Sequence, residues 1–313
     1  MILFYLNLII IMKQQMQNEI KMPDRKYFSL YTTLSWIHML LFIKLSYEFL
    51  TWMYYSLYKE NMSYFIVVNK ILNPFSVLTL IIINLFYLSI YVLRPPSLEK
   101  YKINNLPWPW EEDPDKFKRL LKKSIITYIF NVFCFGIYTL LFGYINHPEL
   151  SKEKHPSIIV YAAQIYFCAI FEDFFFYWGH RILHHPNIYS KIHKQHHEFY
   201  NVINITSLYA HPIEFLLSNV VPLLACTLVL GKRIHMVTFM GFALFRILET
   251  NETHSGYEFP WSMYQILPFA TDATYHNFHH LKNIGNYGSM FRCWDTLFQT
   301  NRYYYKLFGN TES

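Results

Sequence analysis

FSVLTLIIINLFYLSIYVL, residues 75–93, runs for nineteen residues without a charge or a glycine. About 20 apolar residues in a helix cross the hydrocarbon core of a bilayer, so the stretch reads as a membrane span. Similar runs follow at 124–145, 158–178, 213–230 and 234–249, and a sixth at 27–57 is interrupted by Lys44 and Glu48. Only Gly231, Lys232 and Arg233 separate the last two runs, which therefore read as a helical hairpin. The pattern predicts an all-α fold, an integral membrane bundle of about four to six spanning helices.

Composition points the same way. The 313 residues are 53% apolar and 20% aromatic, and only 15% are charged. A soluble domain carries about 25% charged residues. The formal charge of +6 fits basic loops on one membrane face. Basic patches interleaved with polar loops are missing, so no nucleic-acid partner is expected. Cys134, Cys168, Cys226 and Cys293 form no C-x-x-C pair and read as reduced thiols. The opening MILFYLNLIIIMK lacks a basic start and a small-residue cleavage site, and it is too short to span. It reads as an interfacial anchor or an extension.

The loop 94–123 carries Arg94, Lys100, Lys102, Lys116, Lys118, Arg119, Lys122 and Lys123, the densest basic stretch, and is placed in the cytosol. Counting spans from there returns 179–212 and 250–313 to the same side. The segment NNLPWPWEEDPD, 104–115, is expected at the interface.

Those two returning segments hold the histidines. HRILH supplies His180 and His184, HKQHH supplies His193, His196 and His197, and HNFHH supplies His276, His279 and His280. On a helix, positions i, i+3 and i+4 share a face, so each group presents imidazoles to one point. Imidazole suits zinc, copper and iron, and eight rings exceed what one ion takes. Closed zinc sites usually recruit cysteine, and no cysteine lies in any group. His211 in AHPIE and His254 in THSGY stand close enough to be further ligands. His185 points off the face of His184, while His235 belongs to the opposite side. His38, His147 and His155 are scattered and read as structural.

Two neutral-imidazole sites leave metal charge uncompensated. Glu172, Asp173, Glu198, Glu249 and Asp295 are the nearby acids, expected to accept the second ring N–H of the ligands. Glu172 and Asp173 read as a pair near a helix end. The aromatic run FFFYW, 174–178, either lines an apolar pocket or faces lipid. Nucleophile motifs, a phosphate-cradling glycine loop and a nicotinamide or flavin fingerprint are absent from the sequence. No catalytic group beyond a metal centre is indicated, and electrons must come from a partner.

The order H-x-x-x-H, H-x-x-H-H, H-x-x-H-H resembles the membrane fatty acid hydroxylase and sterol desaturase superfamily. Within it, FEDFFFYWGHRILHHPNIYSKIHKQHHEF, YAHPIE, RILETNETHSGYEFP and HNFHHLKNIGNYGSMFRCWDTLFQT resemble the methylsterol monooxygenase group, the sterol carbon-4 methyl oxidases. The resemblance covers roughly 65–300. It implies a fatty acid hydroxylase-type oxygenase domain over 65–313; the segment 1–64 departs from the usual architecture and reads as an extension that could add a membrane helix. It also implies two iron ions on the eight motif histidines, O2 as co-substrate, and NAD(P)H-derived electrons through cytochrome b5 and its reductase. The implied compartment is the endoplasmic reticulum membrane, with the metals facing the cytosol. The implied reaction is oxidation of a sterol 4-methyl group in sterol biosynthesis. The same chemistry at another lipid position stays open: side-chain dealkylation at carbon 24, sterol desaturation, or fatty acid hydroxylation. A non-catalytic metal-binding membrane protein is the alternative of another class; it would favour polar residues within the spans.

Overall fold

The computed structural model describes residues 28–143 and 146–308. The opening segment expected to anchor at the interface lies outside the described residues. Among the described residues there are helices and turns, three isolated bridges and no strand. Four helices are long and apolar enough to cross a membrane: α2 (Tyr64–Leu93), α3 (Pro114–Gly143), α4 (Ile158–Leu183) and α5 (Pro212–Arg233). They are joined by α1 (Phe28–Leu57) before them and α6 (Met236–Thr253) after them.

Prolines shape two of these helices. Pro74 and Pro222 each follow a π-helical turn, Val68–Leu72 in α2 and Leu216–Val220 in α5. A helix-interior proline clashes with the carbonyl four residues back and deletes a donor; the wider π turn absorbs both defects. Gly179 brings α4 against the second of these turns, since a Cβ there would sit 2.8 Å from Leu217 O.

The helices share two ends. At one end Tyr54 and Tyr47 of α1 donate to Leu150 O and Pro156 O at 3.0 and 2.9 Å, and His235 Nε2 donates to Ser151 O. At the other, Tyr91 of α2 donates to Ser255 O and Ile103 N to Gly256 O. All three histidine motifs lie at this second end, as span counting predicts. There α7 (Ala273–Lys282) starts with Asp272 accepting from Tyr275 N and carries HNFHH.

Three expectations are corrected. The run 234–249, expected as a membrane-spanning arm of the hairpin, belongs to α6, in which thirteen of eighteen residues are buried. It is the central post of the bundle, because α1, α2 and α4 pack around it. Glu172 and Asp173 lie inside α4, eleven and ten residues before its last helical position, and are buried. Trp108, expected at the interface, is buried at 1% exposure, stacked on Trp110 and packed on Tyr257.

Candidate metal centre

The histidines gather into two adjoining groups. His180, His184, His193, His197 and His279 form the first; His196, His254, His276 and His280 form the second. Within each group one ring nitrogen per residue lies within 4.8 Å of all the others. Each i, i+4 pair stays together: 180 with 184, 193 with 197, 276 with 280. The middle histidine of each H-x-x-H-H motif crosses over, His196 to the second group and His279 to the first. One motif thus serves both positions, which is why it recurs. HKQHH achieves this in a 3-10 turn, His193–Glu198, where residue i+3 sits about 6 Å above residue i.

Backbone carbonyls set the tautomers. His180 Nδ1 donates to Tyr287 O at 2.9 Å, His279 Nδ1 to Gly285 O at 2.6 Å, His196 Nδ1 to Tyr209 O at 3.2 Å and His254 Nδ1 to Thr250 O at 2.8 Å. A carbonyl only accepts, so each of these rings carries its proton on Nδ1 and keeps its lone pair on Nε2. Those lone pairs face one another. His196 and His254 Nε2 are 3.4 Å apart, His254 and His276 3.0 Å, His276 and His280 3.2 Å. In the first group His193 Nε2 is 3.1 Å from both His180 and His197 Nε2, and His184 and His279 are 3.2 Å apart. Opposed lone pairs repel unless a cation lies between them. Imidazoles about 2.1 Å from one ion stand about 3.0 Å apart at right angles and about 3.4 Å apart at tetrahedral angles. The residues present therefore fit a metal ion in each group. Burial holds His196 down at about 4, and His254 and His279 at about 3, so these rings are neutral and able to ligate at neutral pH.

The acids expected to receive the second ring N–H do something else. Asp173 accepts from the backbone of Ser289, Met290 and Phe291; Asp295 accepts from Tyr287 N and Gly288 N. Both brace the loop whose carbonyls hold His180 and His279. Glu198 accepts from the Tyr209 hydroxyl, and Tyr209 O holds His196. Glu249 pairs with Arg246 and accepts from Thr250, whose carbonyl holds His254. Asp173, Asp295, Glu198 and Glu249 thus act on the rings through the backbone, whose carbonyls are closer, while Glu172 pairs with Arg246 at 3.0 Å. The carboxylate beside a ring is Glu214, missed in the sequence, with Oε1 2.9 Å from His193 Nδ1. Its signal in the sequence is the AHPIE stretch, where Glu214 stands three residues after His211. His211 stays outside both groups and caps α5 by accepting from Ile213 N. His254 is inside the second group, a ninth imidazole.

The comparisons decide the family. The fatty acid hydroxylase family model matches residues 165–300. Methylsterol monooxygenase 1 of Danio rerio is 35% identical over 226 residues, covering 69% of this chain and 72% of the relative. Methylsterol monooxygenase 2-2 of Arabidopsis thaliana is 35% identical over 237 residues, covering 72% and 84%. The chain belongs to the fatty acid hydroxylase family. Methylsterol monooxygenase 1 of Gallus gallus is 36% identical over 207 residues, covering 66% of this chain and 68% of the relative. No solved structure matches.

Fatty acid hydroxylase membership makes the chain an oxidoreductase of the oxygenase type, and its substrate needs a place beside the histidines. An apolar chamber of about 160 Å³, open to its surroundings, lies between α2, α3, α5 and α6. Leu72, Val77, Leu80, Val132, Phe135 and Leu223 give it apolar walls, while Glu172, Arg246, Thr250 and Asn251 give one polar side. Thr250 carries the carbonyl that holds His254, and Ser207 and Leu208 precede the Tyr209 that holds His196. The chamber thus reaches the second group through Thr250 and through Ser207 and Leu208, and no histidine is among its lining residues. A groove lined by Ile81, Leu85, Leu88, Phe117, Leu121 and Ile203 continues the cleft between α2 and α3. The FFFYW run does not line the chamber. Phe174 packs on Trp294, and Tyr177 and Trp178 pack on Phe298.

Proposed function

We propose that the chain is a membrane-bound non-haem diiron oxygenase that oxidises the 4-methyl group of a sterol. The observation that carries this reading is the facing set of Nε2 lone pairs in two groups of five and four imidazoles, set against an apolar chamber. The names of the relatives, methylsterol monooxygenases, supply the sterol and the carbon. Eight motif histidines and His254 would hold the ions; His211 would not. Bound iron would supply the O2-derived oxidant that an unactivated C–H bond requires and no side chain provides.

The chain's own residues do the rest. The four carbonyls fix the lone pairs of His180, His279, His196 and His254 toward their groups. Asp173, Asp295, Glu198 and Glu249 hold those carbonyls in place. The chamber walls exclude water and orient an apolar ring system, and the α2–α3 cleft admits it from the bilayer. Residues 65–313 constitute the oxygenase unit, with 1–64 an added segment whose α1 packs along α6. The basic loop 94–123 faces the cytosolic side of the endoplasmic reticulum membrane, so the histidine end meets soluble or anchored electron carriers there. Cytochrome b5 and its reductase would deliver NAD(P)H-derived electrons.

Lipid profiling of cells lacking the protein tests the reaction. Accumulated 4-methyl sterols are the expected result. Normal 4-methyl sterols with accumulated 24-alkyl sterols, undesaturated sterol precursors or unhydroxylated fatty acids would overturn the carbon-4 assignment.

A further inference from the structure

We propose that Tyr91, Tyr257, Trp108 and Trp110 form a route by which an oxidising equivalent stranded at the second histidine group leaves the centre, with Glu99 taking the phenol proton of Tyr257. The proposal rests on the oxygenase reading above. An oxygenase that meets O2 with an empty chamber has no C–H bond to attack, and its own imidazoles become targets. Tyrosine and tryptophan yield an electron more readily than other side chains, and a phenol does so most readily when its proton has an acceptor.

The residues are placed for this. The Tyr91 hydroxyl donates to Ser255 O at 2.8 Å, one residue from His254, and accepts from Asn204 N at 2.9 Å. Tyr257 lies three residues beyond His254. Ring centroids are 6.1 Å apart for Tyr91 and Tyr257, 5.1 Å for Tyr91 and Trp108, and 5.5 Å for Trp108 and Tyr257. Trp110 lies 5.4 Å from Tyr91 and stacks on Trp108 at 5.3 Å. Tyr257 and Trp108 are buried, while Trp110 is partly exposed. The chain of rings therefore leads from beside His254 to the surface. The Tyr257 hydroxyl donates to Glu99 Oε1 at 2.5 Å.

The step balances. Tyr257 gives one electron to the oxidised centre and its phenol proton to the Glu99 carboxylate, leaving a neutral tyrosyl radical and a carboxylic acid. A cytosolic thiol or ascorbate then returns one electron through Trp110, and Glu99 returns the proton. Lys102 Nζ lies 4.3 Å over the Trp108 ring. Its positive charge repels a cation on that ring, and Glu99 takes the phenol proton, so the radical rests on Tyr257.

The test uses the full-length, iron-loaded protein in detergent, reduced and then exposed to O2 without lipid. Rapid-freeze electron paramagnetic resonance, with ring-deuterated tyrosine as the assignment, should show a tyrosyl radical that disappears in Tyr257→Phe. That variant should lose activity several-fold faster under these conditions, with oxidised histidine found by peptide mass spectrometry, while lipid turnover stays within about twofold. Trp110→Phe should lengthen the life of the radical. Tyr287, whose ring lies 5.0 Å from His184 in the first group, is the control. A wild-type protein that consumes O2 without a radical overturns the route. So does a signal unchanged in Tyr257→Phe, or one removed only by Tyr287→Phe. Failure to consume O2 at all would overturn the oxygenase reading itself.

Discussion

Glu214 sets its Oε1 oxygen 2.9 Å from His193 Nδ1, and both side chains are withdrawn from solvent, at 5% and 2% exposure. A carboxylate on the second nitrogen of a ligand fixes the ring and raises its basicity, and losing such a partner costs about 10–100-fold in metal affinity or activity. Glu214→Gln keeps an acceptor and should cost less than Glu214→Ala. The readout is iron retained after dialysis against a graded chelator series. Equal retention by wild type and Glu214→Ala would remove this role.

The loop 285–291 carries two of the carbonyls that orient rings. Gly285 has φ +61°, and a Cβ there would sit 1.9 Å from Thr300 O. Gly285→Ala meets both the left-handed penalty, at least about 1 kcal/mol, and a backbone clash. It should displace the Gly285 carbonyl from His279, so iron content falls along with stability. A thermal shift without loss of iron would separate the loop from the ring.

His254 and His211 were equal in the sequence and are not equal in the fold. His254→Ala should lower bound iron and abolish turnover. His211→Ala should leave iron unchanged and lower stability by about 1 kcal/mol, the usual worth of a helix N-cap. Metal analysis and thermal unfolding of the two purified variants read this directly; iron loss in His211→Ala would contradict the assignment.

His235, at the end away from the metals, accepts from Val237 N and donates to Ser151 O. Burial, with His155 beside it, lowers its value from 6.5 to about 4. The unfolded chain then binds a proton that the folded one refuses. Stability is unaffected above about pH 6.5 and falls as the pH drops from there toward 4, by up to about 3 kcal/mol. In His235→Asn the unfolding midpoint should depend less on pH across this window. An identical slope in both proteins would contradict the shift.

The four long apolar helices and the grouping of the eight motif histidines were legible because both are local patterns. A lipid-facing helix must be apolar over a set length, and imidazoles on one ion recur at helical spacing. Burial of α6 was not legible, since a central helix and a lipid-facing one share the same apolar composition. The bracing acids were named correctly as residues but misread in action. Asp173 reaches Met290, 117 positions away, and nothing in sequence spacing reports a contact of that range. Glu214 was hidden for the same reason. It lies seventeen residues after His197, in a stretch whose histidine looked like the better ligand.

The central claim is that the two imidazole groups each hold one iron. Mössbauer spectroscopy of the 57Fe-loaded, full-length protein, with iron counted per chain, tests it most directly. Two irons per chain are predicted, falling to one or fewer in both His196→Ala and His279→Ala, one variant from each group. A single iron per chain in the wild type, or two irons retained in both variants, would contradict it.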